Sequence, residues 1–409
     1  MYTFVTCQAF AGAFELGMVQ AGFELQHKVE QVGGFGLGNC LGNRHLLGDR
    51  WTSQACVPEA WEPVAADVVA ANPPCSGFSP MTDNRHRGVD AKVNQCMWVL
   101  VDYAAKIRPQ IMIMESVRQA FTGGRSLMQA LRARLEELTG LRYDLYHVMQ
   151  DAIELGGAAR RPRYFMVLSR VPFGVEYPTL HRRPLLRDVW DDLRGHALTW
   201  EAQPYRRPAT FWSQGPREGC TTFDGHMNHR GVPIERAYDL MQVANQNGGW
   251  PPGWSIGRVA QHTYETTGAL PPSWQHMLPK LLDKKWHMGF ASITRWDAER
   301  PGRVIMGSAL DMVLHPYEDR TITHREAARV MGFPDDWRIK PLRGVSNLRA
   351  TWGKGISVIC GRWIGEWSRA SLDGSPGDNT GVEIGERERL VEKTSTVKRE
   401  PRLLVSVSH

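Results

Sequence analysis

Over its first 170 or so residues the chain alternates short apolar runs with stretches whose apolar positions recur at helical spacing. Phe4-Val5 predicts a first strand, followed by the small-residue loop Ala11-Gly12-Ala13 and a helix over 15–22. A second strand ends near Val29-Glu30, and a third is expected over 64–71. A helix is predicted over 92–107, a strand over 110–114 ending at Glu115, and a strongly helical run over 126–139 closed by Gly140. Apolar runs at 143–149 and 164–168 complete the set. Such alternation predicts an α/β fold with a doubly wound, mostly parallel sheet. Ligands of these sheets sit at the carboxyl ends of the strands. Glu30, Cys75 and Glu115 each follow a predicted strand, which puts them on one rim.

Residues 173–300 break the pattern. They are rich in Pro, Gly, Trp and His, as in Gly249-Trp250-Pro251-Pro252-Gly253-Trp254 and Pro271-Pro272-Ser273-Trp274, and show little periodicity. A second, loop-rich domain is expected, its tryptophans divided between core and partner contacts. Regular structure returns over 301–370. Thr323 is placed to cap a helix over 324–331, ended by Gly332 with Pro334 beyond, and a further helix is predicted over 358–370. Residues 371–409 hold few core formers and are expected to form a disordered tail. The reading is one catalytic domain, 1–172 and 301–370, interrupted by a second domain.

Composition narrows the class. With 409 residues, 42% hydrophobic and 22% charged, the chain has room for a large core in an ordinary globular protein. A net charge of +6 fits a nucleic-acid partner better than an acidic surface, and fits a slightly basic soluble protein equally well. Seven cysteines, an odd number with no Cys-x-x-Cys pair, point to free thiols in a reducing compartment rather than disulfides or a zinc site, so no metal is expected. No basic-then-apolar leader and no run of about 18 apolar residues stands out, so a cytoplasmic monomer without membrane contact is expected.

The chemistry centres on Asn72-Pro73-Pro74-Cys75-Ser76-Gly77-Phe78-Ser79. A thiol on a proline-stiffened loop at a strand end suits a rigidly held nucleophile, and equally a small buried core residue. Its company favours the first. Phe10-Ala11-Gly12 opens a βα turn and Glu30 ends the second strand; then come the cysteine loop, Glu115-Ser116-Val117 and Arg161-Pro162-Arg163-Tyr164-Phe165. Arg320-Thr321-Ile322-Thr323-His324-Arg325-Glu326-Ala327-Ala328-Arg329 leads into Gly332-Phe333-Pro334-Asp335-Asp336-Trp337, and Gly353-Lys354-Gly355-Ile356-Ser357-Val358 closes the series. This order resembles the DNA cytosine-5 methyltransferase family over roughly 4–170 and 295–370. The cysteine loop and the Arg-Glu-Ala-Ala-Arg run are its specific parts.

The resemblance implies a class I, Rossmann-like methyltransferase fold, double-stranded DNA as partner and S-adenosylmethionine as cofactor, with 173–300 as the target-recognition domain. Arg206, Arg207 and Arg230 are candidate DNA contacts there. Cytosine C5 becomes nucleophilic only after addition at C6, which a thiolate performs well; Cys75 takes that role. A carboxylic acid, Glu115, protonates N3 during the addition, and Arg163 stabilises charge at O2, with Arg161 in the same run. The base must first leave the duplex. Phe10, Gly12, Gly17 and Pro74 would shape the cofactor pocket, Glu30 would hold its ribose hydroxyls, and Asp49 resembles the adenine-contacting aspartate.

Four departures from the family pattern stand out. The opening loop lacks the usual Gly-Gly pair; Ser116 replaces an Asn; Ala159 stands where a Gln is common; and Lys354 occupies the Asn of the late motif. The last has electrostatic content, because an ammonium ~4 Å from a sulfonium costs on the order of 4 kcal/mol at a surface-like dielectric. A carboxylate on the transferred carbon, as in carboxy-S-adenosylmethionine, would turn that repulsion into attraction. Carboxymethyl transfer giving 5-carboxymethylcytosine is therefore an alternative to methylation, beside Lys354 facing solvent or the methionine carboxylate. A DNA-binding relative without catalysis is a third reading. A bacterial cell is the expected setting, and restriction and viral roles both stay open.

Overall fold

The computed structural model describes residues 1–8, 10–30, 46, 52–55, 61–80, 82–193, 234–283, 293–305, 312–319, 322–337 and 352–393. The strands are β1 (Thr3–Cys7), β2 (Glu24–Glu30), β3 (Thr52–Ala55), β4 (Val68–Ala71), β5 (Ile111–Ser116), β6 (Asp144–Asp151), β7 (Pro162–Ser169), β8 (Thr294–Arg295), β9 (Val313–Leu314), β10 (Val382–Gly385) and β11 (Glu388–Val391). The helices used below are α1 (Ala13–Gln20), α2 (Gln95–Ile107), α3 (Gln119–Thr139), α4 (Arg187–Trp190), α5 (Ile234–Gln246), α6 (Ile256–Thr267), α7 (Leu278–Leu282), α8 (His324–Val330) and α9 (Val358–Leu372).

Among the described residues one nine-stranded sheet runs β10-β11-β6-β7-β5-β4-β1-β2-β3. Strands β3, β2, β1, β4 and β5 are mutually parallel, while β7 enters antiparallel between β5 and β6. The mostly parallel, doubly wound expectation holds. Both faces are buried, which is why the strands read as continuous apolar runs. Phe4, Leu25, Ile111, Ile113, Val148 and Phe165 face α1 and α9. Val5, Cys7, Val69, Met112, Met114 and Met166 face α2 and α3. The chain reverses direction across the sheet between β1 and β4, and this switch point carries the loops discussed below.

Several boundaries move. The helix predicted from 126 begins at Gln119, because Ala120, Gly124 and Phe121 already pack inward. The strand expected from 64 begins at Val68. Residues 173–193 join the main core through Phe173, Val175, Leu186 and Trp190. The next described part, 234–282, is more regular than its Pro- and Trp-rich composition implies: α5, α6 and α7 enclose a satellite core around Trp250, Ile256, Trp274 and Leu314.

The C-terminal segment also departs from the expected disorder. Hairpin β10–β11 adds to the sheet edge, with β11 parallel to β6. Its anchor is Glu388, a buried carboxylate that accepts from Arg125 Nε at 2.7 Å, Gln129 Nε2 at 2.7 Å and His147 Nε2 at 2.7 Å. Burial holds His147 below the ordinary imidazole range, so the ring is neutral; its Nδ1 then accepts from the Tyr164 hydroxyl at 2.7 Å. Asp49, Arg206, Arg207, Arg230 and residues 394–409 lie outside the described residues.

Candidate active site

The cysteine loop leaves β4 and is braced at once. Asn72 N–H donates to the Cys7 carbonyl at 3.0 Å, and the Cys75 carbonyl accepts from the N–H groups of Phe78 and Ser79 at 3.0 Å each. Phe78 is buried against Gly124 of α3. A side chain at Gly77 would stand 2.2 Å from Asn94 Oδ1, so only glycine allows the loop to lie down here. Cys75 is left half-buried at the rim. Burial pushes its thiol above the ordinary range and Glu115 adds to this, while Arg163 and Arg161 pull the other way. The resting group is a thiol, and nearby cations favour the thiolate.

Glu115 sits one residue before the end of β5 and is 2% exposed. Its Oε2 accepts from Asn72 Nδ2 at 2.8 Å, and its Oε1 lies 2.5 Å from Arg163 Nε. The Arg163 approach is charge contact rather than an aligned hydrogen bond, since Nε has no acceptor by hydrogen-bond geometry. Arg163 Nη1 donates to the Pro162 carbonyl at 2.8 Å, and Nη2 has no acceptor among the described residues. Sheet order creates this contact: Ala71 pairs with Met114, so the residues just beyond them, Asn72 and Glu115, meet. Arg163 arrives on the antiparallel β7, beside Glu115.

Arg161 departs from the catalytic role expected for it. It is fully buried, and burial together with Arg163 pulls its guanidinium down to about 9. Its donors are taken by main-chain carbonyls: Nη1 by Ile305 at 2.5 Å, Nε by Gly355 at 3.0 Å, and Nη2 by Gly353 at 2.8 Å and by Gly355. It therefore positions the late motif by gripping the carbonyls on both sides of Lys354. That lysine is half-buried. Burial pulls its ammonium below the ordinary lysine range, and its electrostatic partner acting against this is Cys75. Cys75, Glu115, Arg161, Arg163 and Lys354 thus form one electrostatic cluster.

The glycine loop faces the same rim. Gly12 has φ 90°, open to glycine, and a Cβ there would stand 2.6 Å from the Trp337 ring. Trp337 Nε1 donates to the Ala11 carbonyl at 3.0 Å. The Arg-Glu-Ala-Ala-Arg run builds this support. Thr323 and Glu326 form a reciprocal capping box on α8, and Arg325 donates to the carbonyls of Pro334 and Trp337 at 2.9 and 3.3 Å. Phe10 borders the Gly355 turn, 3.8 Å from where a Cβ would stand. Pro74 adjoins Cys75, and Glu30 ends β2 beside β1. Gly17, expected to shape the pocket, has a packing contact of its own. It lies within α1, where a Cβ would come within 2.4 Å of the Arg362 backbone, so it serves the close approach of α1 and α9.

Two residues were not anticipated. Asn72 orients Glu115, yet its neighbour is 43 positions away in sequence. Gln8, with φ 55° at the end of β1, carries a buried Oε1 that has no partner among the described residues. An orphaned acceptor beside a positive-φ glycine turn fits a site built to take a polar ligand, and Phe10, Gly12, Glu30 and Pro74 surround the same strand ends. Among the described residues no three His, Cys, Asp or Glu side chains gather as a metal would require, and no helix is long and apolar enough to cross a membrane.

Residues 57–367 match the family described as C-5 cytosine-specific DNA methylase. A curated relative, DNA (cytosine-5)-methyltransferase 1A of Oryza sativa subsp. japonica, is 23% identical over 323 residues, 68% of this chain, and the match spans only 20% of that protein. Among solved structures, a protein assigned as a DNA modification methyltransferase encoded within a prophage (E. coli) aligns over 91% of this chain and 100% of its own, with TM-score 0.55 and 17% identity. The Entamoeba histolytica methyltransferase EhMeth aligns over 91% and 98%, with TM-score 0.51 and 8% identity. These two similarities concern the fold.

Proposed function

Because the chain belongs to the C-5 cytosine-specific DNA methylase family, we propose that it alkylates C5 of a cytosine flipped out of duplex DNA. The observation that carries this reading is Glu115 held between Asn72 and Arg163 beside the Cys75 loop. In the proposed cycle the Cys75 thiolate adds to C6, forming an S–C6 bond as Glu115 delivers a proton to N3. Arg163 turns its Nη2 toward O2 of the base and stabilises the charge that develops there. After alkylation a water molecule takes the C5 proton, the freed electron pair re-forms the C5–C6 double bond and expels Cys75 as thiolate, and N3 returns its proton to Glu115. S-adenosylmethionine, when bound, supplies the electrophilic carbon; Phe10, Gly12, Glu30 and Pro74 would hold it, with the Gln8 carbonyl as a further acceptor.

A duplex carrying 5-fluorocytosine tests the nucleophile, because fluorine cannot leave as the C5 proton does and the covalent adduct persists. The wild-type chain should form a denaturant-stable complex, and Cys75→Ser should form none. A Cys75→Ser variant that still traps DNA would sink the assignment. A wild-type chain that binds duplex without trapping it would favour the non-catalytic relative.

Lys354 supports a second reading, carboxymethyl transfer from carboxy-S-adenosylmethionine. Its half-buried ammonium is electrostatically coupled to Cys75, and Arg161 fixes the turn that carries it. A cation held there favours a negatively charged transferable group over a neutral methyl beside a sulfonium. Mass analysis of nucleosides from DNA treated with each cofactor separates the two: 5-carboxymethylcytosine that disappears in Lys354→Asn supports it. Methylcytosine alone, at equal rates in both proteins, rules it out. Residues 234–282 and their flanks are assigned as the target-recognition part.

A further inference from the structure

At the corner between Gly253 and α6 a basic surface lies next to the catalytic segment. Arg258, in the first turn of α6, is exposed and stacks over the Trp254 ring, with its guanidinium carbon 4.1 Å from the ring centroid. His262, one turn on, meets the same ring edge-on at 5.2 Å. Arg303, also exposed, donates to the Gly253 carbonyl at 3.4 Å. Among the described residues neither arginine has a carboxylate partner, although acids stand close by in the sequence. Those acids are already engaged: Asp297 pairs with Arg300, Glu299 with Arg187, and Glu265 accepts from Gln261. Two cations are thus left without acid partners at neighbouring residues, one held flat against the Trp254 indole and one on the Gly253 carbonyl.

The position of this corner gives the charge a purpose. Gly302 exchanges main-chain hydrogen bonds with Ala158 and Arg160, at 2.8 and 2.9 Å, just ahead of Arg161 and Arg163. Ile305, two residues past Arg303, accepts from Arg161 Nη1. The segment that carries Arg303 therefore also helps fix the arginine that grips the Lys354 turn. Whatever binds at Arg303 lies within a few residues' span of the site where the base must be held. We propose that Arg258, stacked on Trp254, and Arg303, held on the adjacent Gly253 carbonyl, clamp phosphates of the DNA strand beside the flipped cytosine. This rests on the duplex-DNA reading above. Exposed guanidiniums without acids suit phosphate, which every sequence presents alike, rather than a base edge.

Fluorescence anisotropy with two labelled duplexes of unrelated sequence, at increasing salt, provides the test. Each phosphate contact contributes about 0.9 to the slope of log affinity against log salt. Arg258→Gln and Arg303→Gln should each lower that slope by about 1 and weaken both duplexes equally, and the double variant should lower it by about 2. Arg134→Gln is the control. Arg134 already pairs with Asp102 and lies fifteen residues along α3, roughly 22 Å from the rim at which that helix starts; it should change nothing. Circular dichroism confirms that the variants are folded. Wild-type binding with an unchanged slope in both arginine variants overturns the clamp alone. So does weakening confined to one duplex at constant slope, which would mark base readout. A wild-type chain that binds neither duplex overturns the parent reading together with this one.

Discussion

Glu115 meets two demands that conflict in the resting molecule. To donate a proton to N3, as proposed, it must be free to carry one, yet both of its oxygens are engaged, by Asn72 and by Arg163. Entry of the base resolves the conflict if Arg163 turns toward O2 and leaves Asn72 as the remaining tether. Asn72 is 1% exposed and its Oδ1 has no partner. A buried amide that spends one hydrogen bond on a carboxylate and leaves its carbonyl bare is there to aim the carboxylate. Asn72→Ala should therefore lower kcat by roughly tenfold or more, since a hydrogen bond to a charged group is worth about 1.5–3 kcal/mol, while duplex affinity stays within a factor of two or so. Single-turnover rates on a cytosine-containing duplex, beside anisotropy for binding, check this. An equal loss in both would make Asn72 a loop-stability residue instead. The rim positions of Cys75 and Glu115 were legible in sequence because their motifs are local and follow strand ends. Asn72's role was not, because it depends on β4 lying next to β5, which no periodicity reveals. The packing contacts of Arg161 and Gly17 were hidden for the same reason. A motif position says that a residue matters; what it touches, main-chain carbonyls in one case and a neighbouring helix in the other, is set by packing.

At the scale of the element, the β10–β11 hairpin shows how a polar stretch becomes part of a sheet. Its sequence, Gly385-Glu386-Arg387-Glu388-Arg389, has the composition of a tail. Its order comes from buried charge pairing together with the burial of Val391 and Leu390. Arg387 turns with φ 53° and donates to Glu136 at 2.7 Å, and Glu388 gathers Arg125, Gln129 and His147. Such partners, more than 240 positions away, are invisible to composition. Burial alone would raise the Glu388 carboxyl, but hydrogen bonds from Arg125, Gln129 and His147 outweigh it and hold the group down to about 2. The depressed value fixes the sign. The carboxylate stabilises the fold fully above its unfolded range, near 4.5, and that contribution fades as pH falls toward 2. Glu388→Gln should be less stable than wild type by about 3 kcal/mol at neutral pH, the usual cost of breaking a buried pair. The gap should narrow below pH ~4.5 as the wild-type carboxylate begins to lose its advantage. Urea melts across pH measure it, and a gap that is constant down to the acid limit would assign the loss to packing.

For the whole molecule, the question is whether the satellite unit of α5, α6 and α7 and the sheet hold together as one unit. The sheet and its helices share two extensive apolar layers, one on each face. The satellite cluster of α5, α6 and α7 is far smaller and separate from both. It meets the sheet through polar main-chain links, among them Gly302 with Ala158 and Arg160, and through Leu314 on β9 next to Val313, which belongs to the main core. Apolar layers resist local opening far more than isolated main-chain contacts do. Trp274 is fully buried at the centre of the satellite cluster, so Trp274→Ala should destabilise that unit by about 3–5 kcal/mol through the cavity it leaves. Hydrogen exchange should then show amides of 240–277 losing protection while those of β4 and β5 keep theirs. Because Glu115, Arg163 and Cys75 are held by the sheet, trapping on a 5-fluorocytosine duplex should slow through weakened binding, and saturating DNA should restore its rate. If β5 amides lose protection in step with 240–277, the molecule opens as one unit and the proposed recognition part cannot loosen independently of the Cys75 rim.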